Sequence, residues 1–179
     1  MIIMARIIVK LSNKEVSFAE KLAHKRDAKK VRFGAGKYAA CSEKTGSSEM
    51  SHFYGILGEV AVAKHFGAEV DEEIFDNHGD DGIDLTIKKL KGKTQVKTTT
   101  YCKEPLLRVP MGRDKDKEKI ENVESFVCFC IDPKVKKVVE IVGWATREEV
   151  KKGTQRKFLR FGPTNYVLGE NELRPLPKT

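Results

Sequence analysis

Four side chains in the middle of the chain have types suited to joint chemistry: Glu59, Asp84, Gln95 and Lys97. A carboxylate, a carbonyl-type oxygen and a lysine that converge are what metal-dependent hydrolysis of a phosphodiester needs. The oxygens hold a divalent ion, and the lysine meets the negative charge that grows on the phosphate. Asp84 lies in Gly82-Ile83-Asp84-Leu85, and Gln95 and Lys97 in Thr94-Gln95-Val96-Lys97, with Lys91-Gly92 between them as a turn. The spacing predicts a β-hairpin over roughly residues 83–101. A two-residue Lys91-Gly92 loop would pair Leu90 with Lys93, Thr86 with Lys97 and Asp84 with Thr99. Strand side chains alternate faces, so Asp84, Gln95 and Lys97 share one in any register of the same parity.

Glu59 stands in an otherwise apolar helix, among Phe53, Ile56, Leu57, Val60, Ala61 and Ala63. Its neighbours on the helix should pack on the sheet, and a buried carboxylate there needs a cation or a metal. Gly55 and Gly58 would let the helix approach closely, at about 1 kcal/mol each relative to alanine. The plainer alternative makes Glu59 a helix-surface residue paired with Lys64 or with water.

The elements that must position these residues are legible in outline. A short buried strand through Val9 comes first. Ser12-Asn13-Lys14-Glu15 is a capping box that opens a basic helix. Val16, Ala19, Leu22 and Ala23 form its apolar side, and Lys21, Lys25, Arg26, Lys29 and Lys30 the other. The helix is expected to end near Phe33-Gly34. Ser48 caps the Glu59 helix, Gly67 stops it, and a strand is expected near Val70 to Phe75. Residues 103–121 read as irregular and charged. Ser125 to Ile131 is a buried strand, with Val135 to Val142 as its hairpin partner. Thr146-Arg147-Glu148-Glu149 is a second capping box, and an extended tail follows from Leu173. Helices followed by a mostly hairpin-connected sheet indicate a single α/β or α+β domain over residues 1–179.

At these motifs the chain resembles the PD-(D/E)xK nuclease superfamily, which includes restriction endonucleases, archaeal Holliday-junction resolvases and virus- or plasmid-encoded nucleases. The resemblance rests on Gly55-x-x-Gly58-Glu59-x-Ala61, Gly82-Ile83-Asp84-Leu85 and Gln95-Val96-Lys97-Thr98-Thr99, in that order. It implies an α/β, restriction-endonuclease-like fold with a central mixed β-sheet flanked by helices. The catalytic core would span about residues 48–142, behind a basic helical part at 1–40. By resemblance, Asp84 binds Mg²⁺ or Mn²⁺, Gln95 offers its amide oxygen, Val96 its backbone carbonyl, and Glu59 binds metal directly or through water. Lys97 activates the attacking water, and Thr98 and Thr99 help hold phosphate. Two departures stand out. Ile83 precedes the aspartate where the motif has proline, and Gln95 replaces the second acid. The function implied is a metal-dependent DNA endonuclease; a catalytically inactive DNA-binding protein on the same scaffold is the alternative. His78, Asp80 or Asp81 could supply a compensating ligand.

The charge distribution agrees with a nucleic-acid partner. Of the net charge of +8, nearly all lies in residues 1–40, which hold ten basic and three acidic residues. Such concentration suits a polyanion, and Lys21, Lys25, Arg26, Lys29 and Lys30 are the candidate phosphate contacts. Junction resolution would require a homodimer. Nothing approaches the roughly 20 apolar residues of a membrane span. Arg6 cuts short the apolar start, and no signal-peptide cleavage site follows it. A cytoplasmic, intracellular location is therefore expected. Cys41, Cys102, Cys128 and Cys130 lack paired metal-site spacing; Cys128 and Cys130, on one face of an apolar strand, are expected to be buried core thiols, and disulfides are not expected inside a cell.

Overall fold

The computed structural model describes residues 6–32, 48–70, 72, 81–160 and 162–177. Its strands are β1 (Ile7–Lys10), β2 (Leu85–Ile87), β3 (Gly92–Thr99), β4 (Leu106–Pro110), β5 (Ser125–Ile131), β6 (Val138–Thr146), β7 (Thr154–Lys157) and β8 (Thr164–Gly169). Its helices are α1 (Asn13–Arg32), α2 (Ser48–Phe66), α3 (Asp114–Asn122) and α4 (Arg147–Lys152). The strand expected at Val70 to Phe75 and the loop with His78 and Asp80 fall largely outside the described residues, as does Cys41.

The chain is mixed α/β. A five-stranded sheet runs in the order β1-β6-β5-β3-β2, and a second, three-stranded sheet in the order β4-β8-β7. Only β3 and β5 pair parallel; every other neighbour is antiparallel. A parallel pair needs a long crossover, and here it carries β4 and α3. All seven residues of β5 are buried, as a central strand covered on both faces requires. Val127, Phe129 and Ile131 join one core with α1, α2 and Val96. Phe126, Cys128 and Cys130 join another with Leu107, Val109, Ile120, Val150 and Leu168. The large sheet is thus the middle layer, with α1 and α2 on one face and the small sheet, α3 and α4 on the other.

Both capping boxes form. Ser12 Oγ accepts the Glu15 N–H at 3.2 Å and Glu15 returns a carboxylate to the Ser12 N–H. Thr146 and Glu149 do the same on α4. α2 buries residues nearly all round, because it lies between the sheet and α1. Of the two glycines expected to allow close approach, Gly58 does so: a Cβ there would overlap the Phe129 ring. Gly55 has nothing within 4 Å of its own.

Several expectations are corrected. Residues 103–121 are not irregular: they form β4 and most of α3, whose Ile120 is buried in the second core. β1 is an edge strand with only Val9 buried. The partner of β5 starts at Val138, after a turn in which the Val135 N–H bonds the Asp132 carbonyl. Cys102 and Cys130 are disulfide-bonded with Cα atoms 5.5 Å apart, because the β3–β4 connection carries Cys102 over β5. Cys128 is the buried free thiol among the described residues, and burial pushes it up to about 12. Among the described residues no helix is long and apolar enough to cross a membrane.

Candidate active site at the β2–β3 fork

The hairpin connection is longer than the sequence suggested. Lys88–Leu90 makes a 3₁₀ turn that buries Leu90, and Lys91 follows with φ 74° and Gly92 with φ 117°. Burying Leu90 is what takes these residues out of the ladder. Thr86 consequently lies opposite Lys93 rather than Lys97, and Leu85 opposite Thr94. The register differs from the expected one by an even number, so its parity survives. Gln95, Lys97 and Thr99 share a face, opposite Phe126, Cys128 and Cys130 of β5.

Asp84 sits where β2 begins and is tied to β3 twice. Its N–H donates to the Thr94 carbonyl at 3.0 Å, and its carboxylate Oδ2 accepts the Val96 N–H at 2.6 Å. Within a strand the N–H and C=O of one residue leave on the same side. The Val96 carbonyl therefore also points to the edge on which Asp84 lies, where the β2 ladder has ended. The result is a small fork lined by the Asp84 carboxylate, the Val96 carbonyl and the start of the Gln95–Lys97 face.

Gln95 is buried, 7% exposed. Its amide reaches the bend that leads into Asp84: a Cβ built on Gly82 (φ 86°) would lie 3.3 Å from Gln95 Nε2 and 3.0 Å from Lys119 Cβ. Positive φ and this crowding both demand glycine at position 82. Asp81 shapes the same bend, its Oδ1 accepting the Ile83 N–H at 3.0 Å. Lys119 is the residue sequence reading missed. The signal was present in Asp116, which is buried and paired with Arg113 at the head of α3, and in Ile120 and Val123, spaced as a helix face.

Glu59 is placed differently from the expectation. It stands on α2, which covers the Val96–Phe129 face, whereas Gln95 and Lys97 belong to the other face. Its carboxylate is nearly buried and lies 3.5 Å from Arg26 Nη1 on α1. Lys64, the alternative partner, instead bonds Glu15 and the Lys10 carbonyl, each at 2.9 Å. The structure thus gathers Asp84, Gln95, Val96 and Lys97 along the hairpin and leaves Glu59 between two helices.

The candidate phosphate contacts separate as well. Lys21 and Lys25 are exposed on α1, while Arg26 turns inward to Glu59. Lys29 and Lys30 lie within α1, but their side chains are outside the described residues. Thr98 is exposed; Thr99 is buried, and its Oγ1 accepts the Tyr101 N–H at 3.2 Å. Among the described residues no three His, Cys, Asp or Glu side chains cluster as a metal site. No family model, curated protein or solved structure matches this chain.

Proposed function

We propose that the chain is a divalent-metal-dependent DNA endonuclease of the PD-(D/E)xK type, built on a restriction-endonuclease-like fold. The observation that carries this reading is the fork: the Asp84 carboxylate on the Val96 N–H, with the Val96 carbonyl leaving the same edge. Asp84, the Gln95 amide oxygen and the Val96 carbonyl make an all-oxygen donor set. Such a set suits Mg²⁺ or Mn²⁺, which keep several waters and need few protein ligands. The ion, when bound, supplies Lewis acidity to water and to the scissile phosphate.

The chain's own residues do the rest. The 2.6 Å bond from Val96 fixes the Asp84 carboxylate in place. Lys97 follows Gln95 on the same face and holds a positive charge where phosphate charge grows. Lys119 borders the bend through its Cβ and Cγ. Glu59 lies outside this donor set, and its Arg26 partner gives it a structural role. DNA is the proposed substrate, and a homodimer follows if the substrate is a four-way junction.

One observation favours a second reading, a DNA-binding protein without catalysis. Gln95 is neutral where the motif carries an acid, so metal is held less tightly. Supercoiled plasmid and four-way, flap, single-stranded and linear duplex DNA, incubated with Mg²⁺, Mn²⁺ or EDTA, separate the two. The first reading expects metal-dependent cleavage that falls at least about 100-fold in Lys97→Ala and in Asp84→Asn. Cleavage by Lys97→Ala at the wild-type rate refutes the mechanism. Binding without cleavage, not restored by Gln95→Glu, selects the second reading.

A further inference from the structure

We propose that the β7–β8 hairpin is a second DNA-contacting element that docks on a duplex groove. Between Val150 and Gly169 the chain has five basic residues and no acidic one. All four residues of β7 are exposed, so neither face of this edge strand is covered. Among the described residues the strand pairs only with β8, through Thr154↔Val167, Gln155↔Tyr166, Arg156↔Asn165 and Lys157↔Thr164. Arg156 and Lys157 therefore belong to opposite faces at the outer edge of the small sheet. At its tip Phe158 and Leu159 are 39% and 51% exposed.

A second arginine joins the outer face. Arg108 on β4 and Thr154 on β7 flank Val167 from either side, away from Leu107, Val109 and Leu168, which face the core. The Arg108 guanidinium stacks 3.9 Å from the Phe158 ring centroid, which orders the tip. The cations of this edge and the exposed apolar tip beyond them can reach the phosphates that wall a duplex groove. The small sheet packs on the same side of the large sheet as Gln95 and Lys97. The run of basic residues without an acidic one, on an edge strand exposed throughout, argues for a polyanionic duplex rather than a protein partner.

This inference deepens the endonuclease reading but is tested apart from it. A fluorescein-labelled 20-bp duplex is titrated by anisotropy in EDTA, from 50 to 200 mM salt. The proteins compared are the wild type, Arg156→Ala/Lys157→Ala, and Lys134→Ala/Lys137→Ala as a control on the exposed β5–β6 turn. Thermal melts confirm that each variant folds. Two lost phosphate contacts lower the salt slope by about 1.8, so wild-type affinity falls about tenfold more than the variant's across that range. The control keeps the wild-type slope, and unlabelled duplex competes better than single strand. Equal slopes for the two double variants and the wild type, equal losses in both variants, or better competition by single strand overturn the proposal. Cleavage by the wild type with no slope change in the hairpin variant sinks this inference alone. Hairpin-dependent binding without cleavage sinks the endonuclease reading alone.

Discussion

Alanine at Gly58 and alanine at Gly55 should change stability in opposite directions, although both are glycines of the same helix three residues apart. In each case alanine removes backbone freedom from the unfolded chain and gains about 1 kcal/mol of helix propensity. At Gly55 nothing lies within 4 Å of the new methyl, so that gain is realised. At Gly58 the new Cβ would overlap three atoms of the Phe129 ring, and Phe129 is fully buried between α2 and the sheet. Overpacking a tight core site costs about 1–3 kcal/mol, and a ring hit by three overlaps belongs at the upper end. The net expectation is a loss of about 2 kcal/mol for Gly58→Ala, against a gain of about 1 for Gly55→Ala. For a chain of this size each kcal/mol moves Tm by about 2–4 °C. Urea unfolding followed by far-UV circular dichroism, with m unchanged, measures both. Adding Phe129→Leu to Gly58→Ala should cost less than the two single changes summed, because the smaller side chain relieves the overlap. If Gly58→Ala is as stable as wild type, the close approach of α2 to β5 is wrong. The depth at which α2 carries Glu59 would then be wrong with it.

Other outcomes follow from particular contacts. Glu59→Gln should lower stability by about 1–3 kcal/mol in urea unfolding, since it strips the charge facing Arg26 in a largely buried pair. Cleavage measured at 25 °C should stay within a few-fold of wild type; a loss as large as that of Lys97→Ala would put Glu59 back in the site. Hydrogen bonding to Arg6 holds the Glu170 carboxyl below its ordinary value of 4.5. Its contribution is therefore complete above that value and lost as the pH falls through the depressed folded value. Arg6→Ala should flatten the fall of Tm between about pH 5 and pH 3. In a Cys41→Ser background the folded chain should not react with a thiol reagent at pH 8 until urea is added, because burial holds Cys128 up at about 12.

Local signals in the sequence were reliable where the cause of the structure is itself local. Ser12 with Glu15 and Thr146 with Glu149 cap their helices through residues three apart, and the unbroken apolar run at Ser125–Ile131 could only be a central strand. The shared face of Gln95 and Lys97 was legible because parity tolerates any even slip. The register itself was not, since whether Leu90 turns inward depends on a core supplied by α2 and β5. The surroundings of Glu59 were not legible for a related reason. Helical spacing shows that it adjoins an apolar surface but not which face of the sheet that surface meets, and the partner that neutralises it comes from α1. α3 was hidden by its charge: only Ile120 and Val123 announce an inner side, and Asp116 is buried by virtue of Arg113. The disulfide was argued away on compartment, whereas the path of the chain across β5 decides whether two sulfurs meet.

The pairing of β1 with β6 carries a consequence for synthesis. β1 leaves the ribosome well before β6, and Arg6 finds Glu140 only 134 residues later and Glu170 only 164 residues later. At about 5–20 residues per second β1 waits roughly seven to thirty-three seconds for its partners. Throughout that interval β1 is an unpaired apolar segment ahead of a basic helix, and β6, once made, is an open edge until β1 returns to it. A chain stalled or truncated before β6 would keep both the α1–α2 pair and an unclosed sheet, a combination prone to pair with another copy of itself.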